Sequence, residues 1–175
     1  PKGVYARTKL EGDQLAQEIN PKTLILRTSW VYSSFGQNFV KTMLRLGREN
    51  KELRVIFDQI GSPTYALDVA RAMLEIIRGV ESGEVAAEKF VGLYHFSNEG
   101  VTSWYDFAKA IFDMAHIDCE VLPIETSEYP TPAKRPPFSL LNKGKIKSTF
   151  GLEIPYWRDS LLHCLRLLGE IRFGR

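Results

Sequence analysis

An α/β fold built on parallel strands is what this sequence predicts, and three observations carry the prediction. Short β-prone runs alternate with segments of helical period along the whole chain. The run Thr23-Leu24-Ile25-Leu26 is apolar at successive positions, the pattern of a strand buried on both faces and hence parallel. That run then turns polar and aromatic at Arg27-Thr28-Ser29-Trp30-Val31-Tyr32. Ligands in open parallel sheets collect there, beyond the carboxyl ends of the strands. At 175 residues there is room for one domain with a substantial core and little room for two.

Taken in order, residues 4–19 have helical spacing with an apolar stripe of Leu15, Ala16 and Ile19, and Asn20-Pro21 stops the helix. Residues 23–32 follow, their apolar part being the strand just described. Residues 38–49 read as a second helix, capped by Asn38, with Phe39, Val40, Met43, Leu44 and Gly47 on its inner side. A short strand at 53–57 runs into Asp58-Gln59-Ile60-Gly61-Ser62-Pro63-Thr64, a turn shaped by its glycine and proline. The helix predicted over 65–78 carries Asp68 near its positive end and turns Ala70, Met73, Leu74 and Ile77 inward. Residues 92–97 are strand, and Ser103 with Asp106 forms a capping box for a helix that buries Phe107, Ala108, Ile111 and Phe112. The last strand is 120–124. Residues 125–141 form a long loop holding Pro130, Pro132, Pro136 and Pro137 with Lys134 and Arg135, and loops of this length in compact domains are usually functional or mobile. Leu161, Leu162, Leu165 and Leu168 mark a terminal helix closed by Gly169.

Composition narrows the function classes. With 44% hydrophobic and 25% charged residues the chain belongs with folded globular proteins rather than disordered ones. A net charge of +2, with both signs interspersed, offers no basic stripe for nucleic acid. No run approaches the ~18 apolar residues of a membrane span, so no membrane association is expected. Cys119 and Cys164 are too few for a disulfide framework, which makes a reducing, cytoplasmic setting the default. His95, His116 and His163 lack metal-ligand spacing and read as structural, so no metal site is expected; Trp104, Tyr105 and Trp157 read as packing.

The chemistry concentrates in Val4-Tyr5-Ala6-Arg7-Thr8-Lys9-Leu10-Glu11-Gly12. On a helix Tyr5 and Lys9 are neighbours one turn apart. An ammonium beside a phenol favours the phenolate and so eases proton exchange near neutral pH. Gly12, further along that face, lets a ligand or backbone come close. The glycine-rich turn that lets backbone amides approach a dinucleotide pyrophosphate is missing, because no Gly-x-Gly occurs in the sequence.

Together the 4–12 stretch, Leu26-Arg27-Thr28-Ser29-Trp30-Val31-Tyr32, Asn38-Phe39-Val40-Lys41-Thr42-Met43 and Asp58-Gln59-Ile60-Gly61-Ser62-Pro63-Thr64 resemble the dTDP-4-dehydrorhamnose reductase family of extended short-chain dehydrogenases. Arg135-Pro136-Pro137-Phe138-Ser139-Leu140 matches more loosely. The resemblance implies the C-terminal portion of a Rossmann-like fold with its smaller substrate-binding domain. Residues 1–35 would end the Rossmann-like domain, and 36–175 would be mainly the sugar-nucleotide domain, with some segments returning to the sheet. The glycine-rich half and a catalytic Ser or Thr would lie outside this sequence.

The implied reaction is NADPH- or NADH-dependent reduction of the C4 keto group of dTDP-4-dehydro-6-deoxy-L-mannose, giving dTDP-L-rhamnose for polysaccharide synthesis. By the same resemblance Tyr5 donates the proton, while Lys9 binds the nicotinamide ribose and lowers the tyrosine pKa. Trp30 contacts the deoxysugar, Arg135 the nucleotide diphosphate, and Asn38 the diphosphate or sugar. Two other readings stay open: a non-catalytic regulatory subunit that keeps the reductase fold, and another sugar-nucleotide epimerase or dehydratase. An apolar flank on the N-terminal segment would also leave room for a homodimer.

Overall fold

In a computed structural model that describes residues 3–129, 131 and 135–171, the described residues form six α-helices and eight strands. They run α1 (Val4–Ile19), β1 (Leu24–Thr28), β2 (Val31–Tyr32), α2 (Phe39–Glu49), β3 (Glu52–Ile56), β4 (Ile60–Gly61), β5 (Thr64–Tyr65), α3 (Ala66–Glu81), β6 (Gly92–Phe96), β7 (Thr102–Ser103), α4 (Trp104–Ala115), β8 (Glu120–Ile124), α5 (Gly144–Phe150) and α6 (Trp157–Leu167). Pro130, Pro132 and Lys134 of the expected long loop lie outside the described residues.

The strands associate in pairs. β1 runs parallel to β6 with Arg27 opposite His95, and β2 continues that direction parallel to β5. β3 runs parallel to β8, while β4 lies antiparallel to β7 with Ile60 opposite Ser103 and Gly61 opposite Thr102. Helices cover these pairs, as the alternating pattern predicts for an α/β fold. The parallel direction of β1 is as expected, but its burial on both faces is not. Leu24 to Arg27 are only half-buried and Thr28 is exposed, because β6 is the strand paired with β1 among the described residues.

Two apolar clusters result. The larger gathers Val40, Met43 and Leu44 of α2, Phe107, Ile111 and Phe112 of α4, and Leu161 and Leu165 of α6 against Val55 and Val121. Gly47 lets α2 and α4 approach this closely, since a Cβ there would sit 2.6 Å from the Phe112 ring. The smaller packs Ala72 and Ile76 of α3 and Ile146 of α5 on Tyr94 and Phe96 of β6.

Asn38 caps α2 by accepting from the Lys41 N–H, and both halves of the Ser103–Asp106 capping box form at α4. The inner face of α3 differs from expectation. Ala70 is exposed, and Met73, Leu74 and Ile77 are 45%, 53% and 37% exposed, whereas Asp68, Ala72 and Ile76 point inward. The reason is polar. Asp68 Oδ2 accepts from Asn98 Nδ2 at 2.7 Å and Ser160 Oγ at 2.5 Å, which fixes the rotation of the helix on the 68–72–76 line. Asn98 also donates to the Pro155 carbonyl and accepts from the Tyr65 N–H at 2.7 Å, so one buried amide ties β6, α3 and α6 together. The stripe expected on α1 is likewise uncovered, with Leu15 and Ile19 exposed. α5 has no counterpart in the sequence reading, because its short basic stretch offers one buried residue, Ile146, and no periodic signal.

Candidate active site

The connection from α1 to β1 is four residues long, so the helix runs back alongside its strand. Arg27 on β1 fixes the alignment by donating Nε to Asp13 Oδ2 at 2.6 Å, with its Nη2 in ion-pair contact with the same oxygen at 2.5 Å. Thr23 Oγ1 adds a bond to the Ala16 carbonyl. Tyr5 precedes Asp13 by two turns, about 12 Å along the axis at 1.5 Å per residue, which carries it past the C-terminal end of β1. That is the end that delivers Trp30. Tyr5 and Lys9 share one face there, with Lys9 Nζ 5.8 Å from the centre of the Tyr5 ring. Tyr5 is 76% exposed, and among the described residues neither its hydroxyl nor the Lys9 ammonium has a hydrogen-bond partner.

The backbone at the end of β1 is held in an unusual shape. Trp30 has φ of 49°, in the left-handed region, which costs a non-glycine residue roughly 1–2 kcal/mol. Three hydrogen bonds impose it: Thr64 N–H donates to the Trp30 carbonyl, Thr64 Oγ1 to the Ser29 carbonyl, and Ser29 Oγ to the Ser62 carbonyl. Strain kept up by its surroundings in this way clusters at functional sites. The Trp30 indole stacks on Trp104, with centroids 3.7 Å apart and planes 12° from parallel. Its six-membered ring also lies against Gly61, where an added Cβ would come within 2.7 Å of the ring.

β4 links the surroundings of Trp30 to the loop that follows Arg135. On one side it pairs with β7, which leads directly into Trp104. On the other it bonds the loop after Arg135, through Ile60 N–H to the Pro137 carbonyl and Ser139 N–H to the Ile60 carbonyl, both at 2.8 Å. Arg135, two residues before Pro137, is exposed. The structure thus brings Trp30 and the Arg135 loop to the same short strand.

Asn38 is placed differently. Its Nδ2 donates to the Ser33 and Phe35 carbonyls at 2.7 and 3.3 Å while its Oδ1 caps α2, so its side chain braces the turn before that helix.

Electrostatics separate the tyrosines. Burial pushes Tyr32 well up and Tyr65 up to about 12, so neither gives a proton readily near neutral pH. At the loop, Asp58 is held below the usual carboxylate range chiefly by the Thr126 hydroxyl, which donates to it at 2.6 Å, with the Thr126 N–H adding a second bond.

Sequence reasoning missed the part played by Trp104, Gly61 and Asn98. Trp104 follows the capping box and reads as helix packing, and Gly61 reads as a turn residue although a close aromatic contact is what excludes a side chain. A lone asparagine after a strand gives no signal that it will be the buried junction of three elements.

A family model described as the RmlD substrate binding domain matches residues 1–169. The chain is 45% identical over 177 aligned residues to a dTDP-4-dehydrorhamnose reductase of Sinorhizobium fredii, an alignment that covers 97% of this chain and 59% of that protein. Among solved structures, the dTDP-4-dehydrorhamnose reductase of Clostridium acetobutylicum superposes with a TM-score of 0.87 at 41% identity, covering 97% of this chain and 57% of that one. The dTDP-4-dehydrorhamnose reductase of Bacillus anthracis, solved in complex with NADP, gives 0.85 at 38% identity, covering 95% and 56%. The chain therefore spans less than three fifths of the length of each of these relatives.

Proposed function

The chain belongs to the RmlD substrate binding domain family, and from that premise we propose that it forms the substrate-binding side and the proton-donating pair of a dTDP-4-dehydrorhamnose reductase. The observation that carries the reading is the pairing of Tyr5 with Lys9 on an exposed helix face at the strand end that also delivers a strained Trp30.

The substrate is dTDP-4-dehydro-6-deoxy-L-mannose. Hydride for its C4 carbon is the chemistry that NADPH or NADH supplies when bound. The donor set fits the ribose end of such a cofactor, since an ammonium and a phenol without internal partners can hold two hydroxyls. The pyrophosphate end would need residues beyond these 175, because no Gly-x-Gly occurs here. Tyr5 gives its phenolic proton to the C4 oxygen as negative charge develops on it. Lys9 holds the ribose hydroxyls and steadies the phenolate left behind. Trp30 sets its indole against the CH-rich side of the deoxysugar, and the Arg135 guanidinium grips the diphosphate oxygens. Asn38, which braces the turn of residues 33–35, contacts the diphosphate or the sugar. Residues 1–35 then belong with the cofactor side and 36–175 mainly with the sugar-nucleotide side.

The test is a reductase assay on the complete protein. Tyr5→Phe is expected to lower kcat by roughly 10²- to 10⁴-fold with little change in KM, because the proton is needed in the transition state. An unchanged kcat in an assay limited by chemistry would remove Tyr5 from the mechanism. These 175 residues by themselves are expected to give no turnover, and family-like activity from them would overturn that part of the reading.

A further inference from the structure

Trp104 comes to Trp30 by way of β7. β7 pairs with β4, and the chain passes from β7 straight into α4, of which Trp104 is the first residue. Its indole lies flat on that of Trp30 at 3.7 Å, and Phe39 braces it at 4.7 Å between centroids. Phe39 in turn stacks on the fully buried Phe107 at 5.5 Å. A continuous column of rings therefore runs from the core to the rim of the site, and Trp30 ends it there, half-buried. The hydrogen bonds at this point hold the Trp30 backbone and leave the direction of its indole to its neighbours, Trp104 and Gly61.

We infer that Trp104 is a positioning residue for sugar recognition: its stacked indole fixes the orientation in which Trp30 meets the deoxyhexose of a nucleoside-diphosphate sugar. This rests on the reading of Trp30 given above. It goes further, because the pair of indoles, not Trp30 alone, becomes the determinant of how strongly the sugar adds to nucleotide binding. Without Trp104 the indole of Trp30 would sample several rotamers, and part of the sugar contact would be lost to that freedom.

The test measures the affinity of the purified protein for dTDP and for dTDP-L-rhamnose and takes their ratio as the sugar contribution. Trp104→Leu keeps an apolar side chain and removes the flat one. It is expected to lower the sugar contribution by about 2- to 12-fold, the worth of one aromatic contact, while dTDP binding stays unchanged. Trp104→Phe, which keeps a ring, is expected to restore most of it. A Trp104→Leu protein with the wild-type sugar contribution overturns the inference and leaves the Trp30 reading standing. A wild-type protein in which the sugar adds nothing overturns both. Should the leucine variant fail to fold, the wild-type protein supplies a second reading. Two nearly parallel, stacked indoles in contact couple their excited states and give a paired circular dichroism band, which dTDP-L-rhamnose is expected to shift and dTDP is not. A band unmoved by the sugar overturns the inference.

Discussion

Helices α4 and α1 both carry apolar residues at helical spacing, yet α4 buries Phe107, Ala108, Ala110, Ile111 and Phe112 whereas α1 buries no side chain. The neighbours make the difference. α4 is enclosed by α2, α6, β3 and β8, while α1 is tied to β1 by Arg27–Asp13 and to the residue before that strand by Thr23–Ala16. α3 lies between these extremes, with one side on β6 and Met73, Leu74 and Ile77 open. The residues proposed to meet the sugar thus stand on the enclosed side, where ring packing fixes them. The proposed proton donor and its lysine stand on a helix held in place by polar ties instead of packing.

The contrast is most sharply tested in the enclosed half. Phe107→Ala removes a ring with no exposed surface and is expected to cost about 3–5 kcal/mol in denaturant unfolding. A loss below about 1 kcal/mol would mean that this half is not the stable one. At the junction between halves, Asn98→Ala strips a partner from the buried Asp68 carboxylate and from the Tyr65 N–H. The expected loss is about 2–3 kcal/mol, because a buried group left unpaired keeps its full desolvation cost. Hydrogen exchange should quicken in α3 and α6 together; a change confined to one helix would deny that Asn98 couples them.

The same contrast explains what could be read in advance. Wherever a segment is enclosed by this chain's own residues, pattern reading placed it well: Val40, Met43 and Leu44 on α2, the capping box at Ser103, and the inward Phe107, Ile111 and Phe112 of α4. Periodicity fails on α3 because a polar residue, Asp68, decides the rotation of the helix, and hydropathy counts a carboxylate as outward. It fails for the stripe on α1 because an apolar stripe shows what a helix can bury and says nothing of whether a partner is present. Of the site, the Tyr5–Lys9 spacing is legible from sequence because it is local, one helical turn. The Trp30–Trp104 stack is not, since it joins residues 74 positions apart through the pairing of β4 with β7.

Acidification probes the junctions by a gentler route. Glu99 sits partly desolvated, which favours its neutral form, but Lys147 and Lys143 at 3.0 and 3.1 Å outweigh this and hold its carboxyl below the usual range. Asp58 is lowered through Thr126. A carboxylate depressed in the folded state contributes stability that is fully present above its unfolded value and is lost as pH falls through the folded one. Unfolding followed downward from about pH 5 should therefore show a decline smaller than the Asn98 effect, beginning near the ordinary carboxylate values. Asp58→Asn and Glu99→Gln together should flatten it, and a decline of undiminished size in that double variant would assign it to other groups.

The smallest effect is expected on the open helix, and it decides what the open face is. Ile19 is 83% exposed and Leu15 56%, so Ile19→Ser and Leu15→Ser remove apolar surface that water already touches. Neither should change unfolding stability by more than about 0.5 kcal/mol, and the α1 amides should exchange far faster than those of α4. A loss above about 1 kcal/mol from either substitution would require that something covers this face in solution. In a sample of these 175 residues alone only a second copy is available, so that sample should then show twice the chain mass by light scattering. A stability loss with the mass of a single chain would instead mean that α1 docks on its own protein in solution, and the contrast between the two helices would not hold.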